Sequence, residues 1–270
     1  MVSRLCLALL FVALTAAPAR ADETGRRYSL SEPVAQPVVR ILVDRFEANG
    51  QYRNGTGVLA GRCDVMLTAR HVLRDAKPAQ VQVYSPQIRG QVAGIKTDAA
   101  AQSLRNVSGS AQRRPGRFDD DVVVVRLDRC PTYQFVPLSA IQPLQFRHLK
   151  ALRSAGFACD SRHKRAPEIT AFEGTFVPFK PGQGLSRQVR LSPGARPGQS
   201  GAPIFSVDAQ TGERQLHMLL VATLRDRAAP VGCGIDEETG QSDAGHAAYG
   251  AVLTQQFMDA FKAYIAALAD

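Results

Sequence analysis

One heptapeptide, Pro197-Gly198-Gln199-Ser200-Gly201-Ala202-Pro203, sets a serine between glycines and runs into apolar Ile204-Phe205. Gly198 and Gly201 allow backbone conformations closed to residues with a Cβ, and they let another chain approach closely. In such a turn the N–H groups of Gly198 and Ser200 can converge beside the Ser200 hydroxyl. That pair would form an oxyanion hole, stabilising the charge that develops on an attacked carbonyl. Alone the motif is weak, because turns built from glycine and serine are ordinary loops. A serine hydroxyl needs a base to take its proton and an acid to orient that base.

Of the five histidines, His71 alone sits where a base could be held. Val65-Met66-Leu67-Thr68-Ala69 reads as a strand, and His71 follows at its end. A rigid strand end can keep an imidazole in one orientation, as a general base requires. Asp121 stands at the mouth of the run Val122-Val123-Val124-Val125, in the same kind of position. A carboxylate there can accept the ring N–H and fix the tautomer. Asp119 and Asp120 read as exposed loop charges, and His148, His163, His217 and His246 as surface or satisfied core groups. There is no His-Glu-x-x-His and no close Cys-x-x-Cys. Neither a metal nor a cofactor is therefore expected.

The elements that must position these groups read as β-rich. Val38 to Phe46, Gly57 to Ala60, Val65 to Ala69, Val81 to Tyr84 and Val92 to Ile95 are short and apolar, with Asn49-Gly50 and Asn54-Gly55 offering turn chemistry. Asp121 to Leu127 is the strongest strand, with four consecutive valines suited to burial on both faces. Ser85 to Phe118 otherwise reads as a long basic surface loop. Pro131 to Pro143 is turn-rich and carries the chain between two halves. Leu149 to Phe157, Ile169 to Pro178, Gln188 to Leu191, Ala202 to Val207, Leu216 to Leu224 and Ala247 to Val252 repeat the pattern. Turn signals at this spacing indicate an antiparallel barrel or sandwich. Only the end changes period: Thr254 can cap a helix, and Phe257, Phe261, Tyr264, Ile265 and Leu268 recur at helical spacing.

Residues 1–21 read as a secretory signal peptide, with Arg4 before the apolar Leu5–Ala17 stretch and a small-x-small site at Ala19-Arg20-Ala21. An exported chain, periplasmic or secreted, is expected, without a transmembrane segment once the leader is removed. Richness in alanine and arginine is of a bacterial kind. Removal of Arg4 and Arg20 with the leader lowers the net charge from +9 to +7. The basic residues are scattered and no stacking aromatics are interleaved with them, so nucleic acid is not an expected partner. Cys63, Cys130, Cys159 and Cys233 remain, an even count that favours two disulfides with three possible connectivities. Asn54-Gly-Thr56 and Asn106-Val-Ser108 have the form of glycosylation sequons.

Thr68-Ala69-Arg70-His71, Asp121 with its valines, and Gly198-Gln199-Ser200-Gly201-Ala202-Pro203 together resemble the histidine, aspartate and serine boxes of the chymotrypsin/trypsin-like serine peptidases. The order His, Asp, Ser is also theirs. The resemblance covers Val38 to the terminal helix. It implies an all-β fold of two packed six-stranded antiparallel barrels with a C-terminal α-helix. The expected division is an arm over 22–37, a first barrel over 38–143 carrying His and Asp, and a second over 144–270 carrying Ser and the helix. It further implies Ser200 as nucleophile, His71 as base and acid, Asp121 as orienting carboxylate, and the Gly198 and Ser200 N–H groups as the oxyanion hole. Thr223 would pair its backbone with an extended protein or peptide substrate, and Gly194 and Ala195 would lie near the base of the specificity pocket. The disulfides it implies are Cys63–Cys130 and Cys159–Cys233, and a monomer is expected. Gln199 stands where activatable relatives carry an aspartate, so local structure is expected to hold the oxyanion loop instead. Arg70 replaces the usual small residue beside the histidine. The competing reading is a catalytically silent binding protein on the same fold.

Overall fold

β-Branched and alternating segments fold into strands, and the first six close on themselves. β1 (Val38–Phe46), β2 (Tyr52–Leu59), β3 (Val65–Ala69), β4 (Val81–Tyr84), β5 (Ala93–Lys96) and β6 (Val122–Leu127) form a closed antiparallel barrel in the order β1-β2-β3-β6-β5-β4. The structure, a computed structural model, describes residues 34–46, 52–85, 91–106, 120–144, 152–157, 169–176, 187–192, 198–208, 210–223 and 247–269. A second set comprises β7 (Leu152–Phe157), β8 (Ile169–Phe176), β9 (Arg187–Ser192), β10 (Pro203–Val207), β11 (Arg214–Thr223) and β12 (Ala247–Val252). These pair in the order β10-β11-β12-β9-β8-β7, and β10 also meets β7 through Ile204 opposite Ser154. The all-β, chymotrypsin-like expectation, with a closed six-stranded barrel and a terminal helix, holds.

β3 is buried along its whole length, and it pairs with β6 from Val65 opposite Arg126 to Ala69 opposite Val122. Because side chains alternate with a period of two, a one-residue slip would turn the whole apolar set outward. The ladder's register is therefore strongly specified. Its two ends matter: His71 and Asp121 lie just past one, and Cys63 and Cys130 lie past the other. Those cysteines form a disulfide with Cα atoms 4.9 Å apart, as the resemblance implies. Cys159 and Cys233 lie outside the described residues.

Two local expectations change. Asn54-Gly55 is not a turn but the middle of β2, with Gly55 opposite Ile41 and Asn54 opposite Leu42. A Cβ on Gly55 would stand 2.3 Å from Val72 Cγ1, so this glycine is there to admit a neighbour's side chain. Asn54 Oδ1 accepts a 3.0 Å bond from Arg40 Nε across the β1–β2 pair. Within the segment read as a loop, α1 (Ala99–Ser103) makes one and a half turns, its first turn capped by Asp98, which accepts from the Ala101 N–H at 3.0 Å.

The core does not stop at the first barrel. Val39, Ile41, Val58 and Leu67 are fully buried, and the same apolar cluster continues through Ala155, Phe157, Leu216 and Leu219 of the second set. The segment between the sets is stitched to both, by a bridge from Val136 to Ala60 and another from Ile141 to Leu216. His217 is fully buried there, its Nδ1 2.8 Å from the Gln142 carbonyl and its Nε2 2.8 Å from the Ser206 hydroxyl. Of the two roles expected of it, surface or satisfied core, the structure shows the second.

α2 (Gln255–Ala267) starts where Thr254 Oγ1 accepts from the Phe257 N–H at 3.1 Å. Phe257, Met258, Phe261, Tyr264 and Ile265 make its buried stripe. Full burial of each phenylalanine contributes about 2–3 kcal/mol. The helix follows the second set of strands yet anchors on residues of the first. Tyr264 donates to Asp98 Oδ2 (2.8 Å), and Arg62 Nη1 donates to the Leu268 carbonyl (2.8 Å). Asn106 reaches both sides of the helix entry, donating to Val252 O (2.8 Å) and accepting from the Thr254 N–H (2.9 Å). Fully buried, with both amide atoms engaged, Asn106 cannot serve as a glycosylation acceptor in the folded chain.

Candidate active site

β3 delivers its last residue into a single 3-10 turn, Arg70–Leu73, so His71 is fixed within two residues of a buried strand. Val72 plugs that turn into the barrel over Gly55. Asp121 immediately precedes β6, across the ladder. Three bonds lock the two together. The Arg70 N–H donates to the Asp121 carbonyl (3.1 Å), the His71 N–H donates to Asp121 Oδ1 (2.8 Å), and His71 Nδ1 lies 2.5 Å from Asp121 Oδ2. With Nδ1 against a carboxylate, the neutral ring carries its proton on that nitrogen and leaves the lone pair on Nε2. The carboxylate side chain is 15% exposed and the imidazole 44%, so the acid is sheltered while the ring faces outward. Arg70 does not crowd the ring; its Nη2 lies 3.4 Å from the Val122 carbonyl.

The serine turn precedes β10, the strand that meets both β7 and β11. Gly198 and Gly201 have φ of 90° and 89°, in the left-handed region that a residue with a Cβ rarely enters. At Gly201 the need is doubled: a Cβ would stand 2.0 Å from Thr56 O, 2.4 Å from Thr68 Oγ1 and 3.0 Å from the Ala69 amide nitrogen. The turn is thus pressed onto β2 and onto the end of β3, two residues before His71. Its peptide planes are fixed individually. The Ser200 carbonyl accepts from the Thr56 N–H (2.8 Å), and the Gly201 N–H donates to Leu220 O (2.6 Å). The Gln199 carbonyl accepts from the Ala202 N–H (2.9 Å), which turns the Ser200 N–H the opposite way. Among the described residues, no acceptor takes the N–H of Gly198 or Ser200. The Ser200 hydroxyl and His71 Nε2 likewise make no hydrogen bond to a described residue, a contact that unliganded sites often leave open.

The expectation that local structure holds this loop is only half met. The Gly198 carbonyl is held by Thr56 Oγ1 (3.0 Å), 142 residues away in the other barrel. Gln199 is fully buried, a neutral amide where a carboxylate would carry a heavy desolvation cost. Thr56 and Thr68 are the residues that sequence reading missed. A polar β-branched residue between two glycines, Gly55-Thr56-Gly57, inside an otherwise apolar strand was the available signal. Of the other expected residues, Thr223 ends β11, and its backbone pairs with Ala248 of β12. Beyond Leu220, whose N–H and carbonyl bond Ala202 and Gly201, β11 has no partner strand on its other side among the described residues. Gly194 and Ala195 lie outside the described residues. No group of three or more His, Cys, Asp or Glu poised for a metal occurs among the described residues.

Comparison with known proteins places this geometry. The trypsin-like peptidase domain profile matches residues 55–212, which include all three boxes. No curated protein sequence matches the chain. Among solved structures, the thermostable serine protease AL20 from an extremophilic microorganism superposes with a TM-score of 0.56. It is 13% identical, over 87% of this chain and 99% of that one. The inactive mutant form of Rv3671c from M. tuberculosis gives a TM-score of 0.45 at 15% identity, over 86% of this chain and 89% of that one. The first of these likenesses describes fold; the profile match, which spans more than half of the sequence, decides membership. The chain belongs to the trypsin-like serine peptidases.

Proposed function

We propose that this peptidase is an exported endopeptidase working through His71, Asp121 and Ser200, on two packed barrels that contribute His and Asp from one side and Ser from the other. The observation that carries it is the doubly bonded His71–Asp121 couple at the end of the strand onto which the Ser200 turn is pressed. His71 Nε2 takes the Ser200 proton as Oγ attacks the peptide carbonyl. The resulting oxyanion is received by the N–H groups of Gly198 and Ser200, which no described residue claims. The imidazolium, stabilised by Asp121, gives the proton to the leaving amine, and an acyl-enzyme remains. Water, deprotonated by His71, then releases the acid product.

The side of β11 beyond Leu220, ending at Thr223 and unpaired there among the described residues, suits an extended substrate added as a further strand. No acid stands at Gly194 or Ala195, so nothing there favours Lys or Arg in the specificity pocket. The Cys63–Cys130 bridge supports an oxidising compartment outside the cytosol. No helix among the described residues is long and apolar enough to cross a membrane.

Peptide-library profiling and fluorophosphonate labelling of the leaderless chain beside Ser200→Ala test the reading. Cleavage and an adduct on Ser200 are expected, with turnover lowered on the order of 10⁴-fold or more in the variant. A folded wild-type chain with no adduct, or a variant as fast as wild type, overturns it and favours a silent binding protein.

A further inference from the structure

We infer that Thr56 is the positioning residue of the oxyanion loop, setting its geometry from the opposite barrel. The inference rests on Ser200 being the nucleophile. Every polar atom of Thr56 is engaged, and the residue is fully buried. Its N–H donates to the Ser200 carbonyl at 2.8 Å, and its carbonyl accepts from Thr68 Oγ1 at 2.7 Å. Its hydroxyl lies 3.0 Å from the Gly198 carbonyl and 3.0 Å from the Phe157 amide nitrogen.

The direction of the hydroxyl bond is settled by its neighbours. A backbone N–H can only donate, so Phe157 uses the oxygen as an acceptor, and the single hydroxyl proton goes to the Gly198 carbonyl. One side chain thus ties β2 of the first barrel to β7 of the second and to the peptide joining Gly198 to Gln199. That peptide lies between the two N–H groups that would receive the oxyanion. Gly198, at φ 90°, has no Cβ to restrict it, so an unheld carbonyl there could swing its peptide plane and change how the flanking Gly198 and Ser200 N–H groups sit relative to one another. Gln199 supplies no charge to fix the turn, and the bond from Thr56 takes that place. Thr68, also fully buried, holds the Thr56 carbonyl and so keeps the clamp itself from turning.

Thr56→Val preserves the branched shape and removes the hydroxyl, leaving the Gly198 carbonyl and the Phe157 N–H without their bonds. Thr56→Ser keeps the hydroxyl. With wild type beside them, both full-length variants would be compared by steady-state kinetics on the best library peptide and by hydrogen exchange of the 198–202 amides. The valine variant is expected to lose about 10- to 100-fold in kcat, up to the loss seen when an oxyanion donor is removed, with KM within about threefold. Exchange across 198–202 should quicken about tenfold or more. The serine variant should stay within about threefold of wild type in both readouts. A valine variant with kcat within twofold of wild type, a loss confined to KM, or a serine variant as impaired as valine overturns the assignment. If the valine variant does not fold, Thr68→Val, which removes only the bond to the Thr56 carbonyl, must show a smaller loss of the same kind, in kcat and not in KM. Should wild type give no Ser200 adduct, the nucleophile reading fails, and the exchange comparison still decides whether Thr56 holds the loop.

Discussion

The disulfide lies at the opposite end of the β3–β6 ladder from the His71–Asp121 couple, and its removal separates stability from chemistry. Replacing both Cys63 and Cys130 by serine opens a loop closed across 67 residues. The chain-entropy relation for a loop of that length gives about 4 kcal/mol of lost stability at 25 °C. At about 2–4 °C per kcal/mol for a chain of this size, the melting midpoint should fall by about 8–16 °C. The folded state should keep its geometry, because five residue pairs and a fully buried β3 already specify the register that brings His71 to Asp121. Circular-dichroism melts give the first quantity, and kcat at a temperature where the variant is folded gives the second. The expected result is a large drop in midpoint with kcat within about twofold of wild type. A midpoint shift below about 2 °C would refute the loop-closure argument. A kcat loss above about tenfold in folded protein would refute the claim that the ladder alone holds the register.

Three further outcomes follow from the same geometry. Asp121→Asn should lower kcat on the order of 10⁴-fold by favouring the wrong imidazole tautomer, with the melting midpoint little changed; a loss under tenfold in steady-state assays would remove Asp121 from its role. Gly201→Ala forces a side chain into left-handed backbone and against the Thr56 carbonyl, so about 3–5 kcal/mol of stability should go; a wild-type urea midpoint would contradict the close approach. Burial first, then the bond to Asp98, pushes the Tyr264 phenol up to about 12. Its unfolded value is about 10, so its stabilisation is present below pH 10 and is lost as pH rises from there toward 12. Burial works to raise the Asp98 carboxyl, but bonds from Ala101, Tyr264 and Ala100 and the nearby Arg126 charge bring it below its usual value. Its contribution is therefore present above about pH 4 and is lost on acidification. Tyr264→Phe should flatten the alkaline limb of a urea-midpoint profile, and Asp98→Asn the acid limb; unchanged limbs would argue against this anchor of α2.

What could be read from the sequence was whatever a short window encodes. The strands β1, β3 and β4 follow their apolar runs to the residue, and the helix stripe from Phe257 to Ile265 is periodicity alone. The His71–Asp121 couple was legible because each residue lies just outside a strand whose apolar pattern is unambiguous, His71 after β3 and Asp121 before β6. Asn54-Gly55 misled for the opposite reason. The dipeptide has turn chemistry locally, but its conformation is decided by Val72, which needs the space that a Cβ would fill. Likewise α1 is only five residues long, and its signal was one capping aspartate ahead of three alanines.

Thr56 shows what kind of information was out of reach. In sequence it is one threonine in a strand, of a residue type favoured in strands anyway. Its role comes from partners at Thr68, Phe157 and Gly198, which no periodicity links to it. A buried hydroxyl without partners is costly, so a threonine inside an apolar strand implies that partners exist without saying where. The serine turn poses the complementary question, because two N–H groups that no described residue accepts require that neighbouring peptides be held by something. Gln199 rules out the charged latch, and the Gln199–Ala202 bond settles only the second of the two N–H groups. How the first sits relative to the second depends on the peptide between them, whose Gly198 carbonyl takes its one hydrogen bond among the described residues from the opposite barrel. On this reading the catalytic geometry belongs to the contact between barrels, and substitutions in β2 should perturb turnover although no β2 side chain needs to touch the substrate.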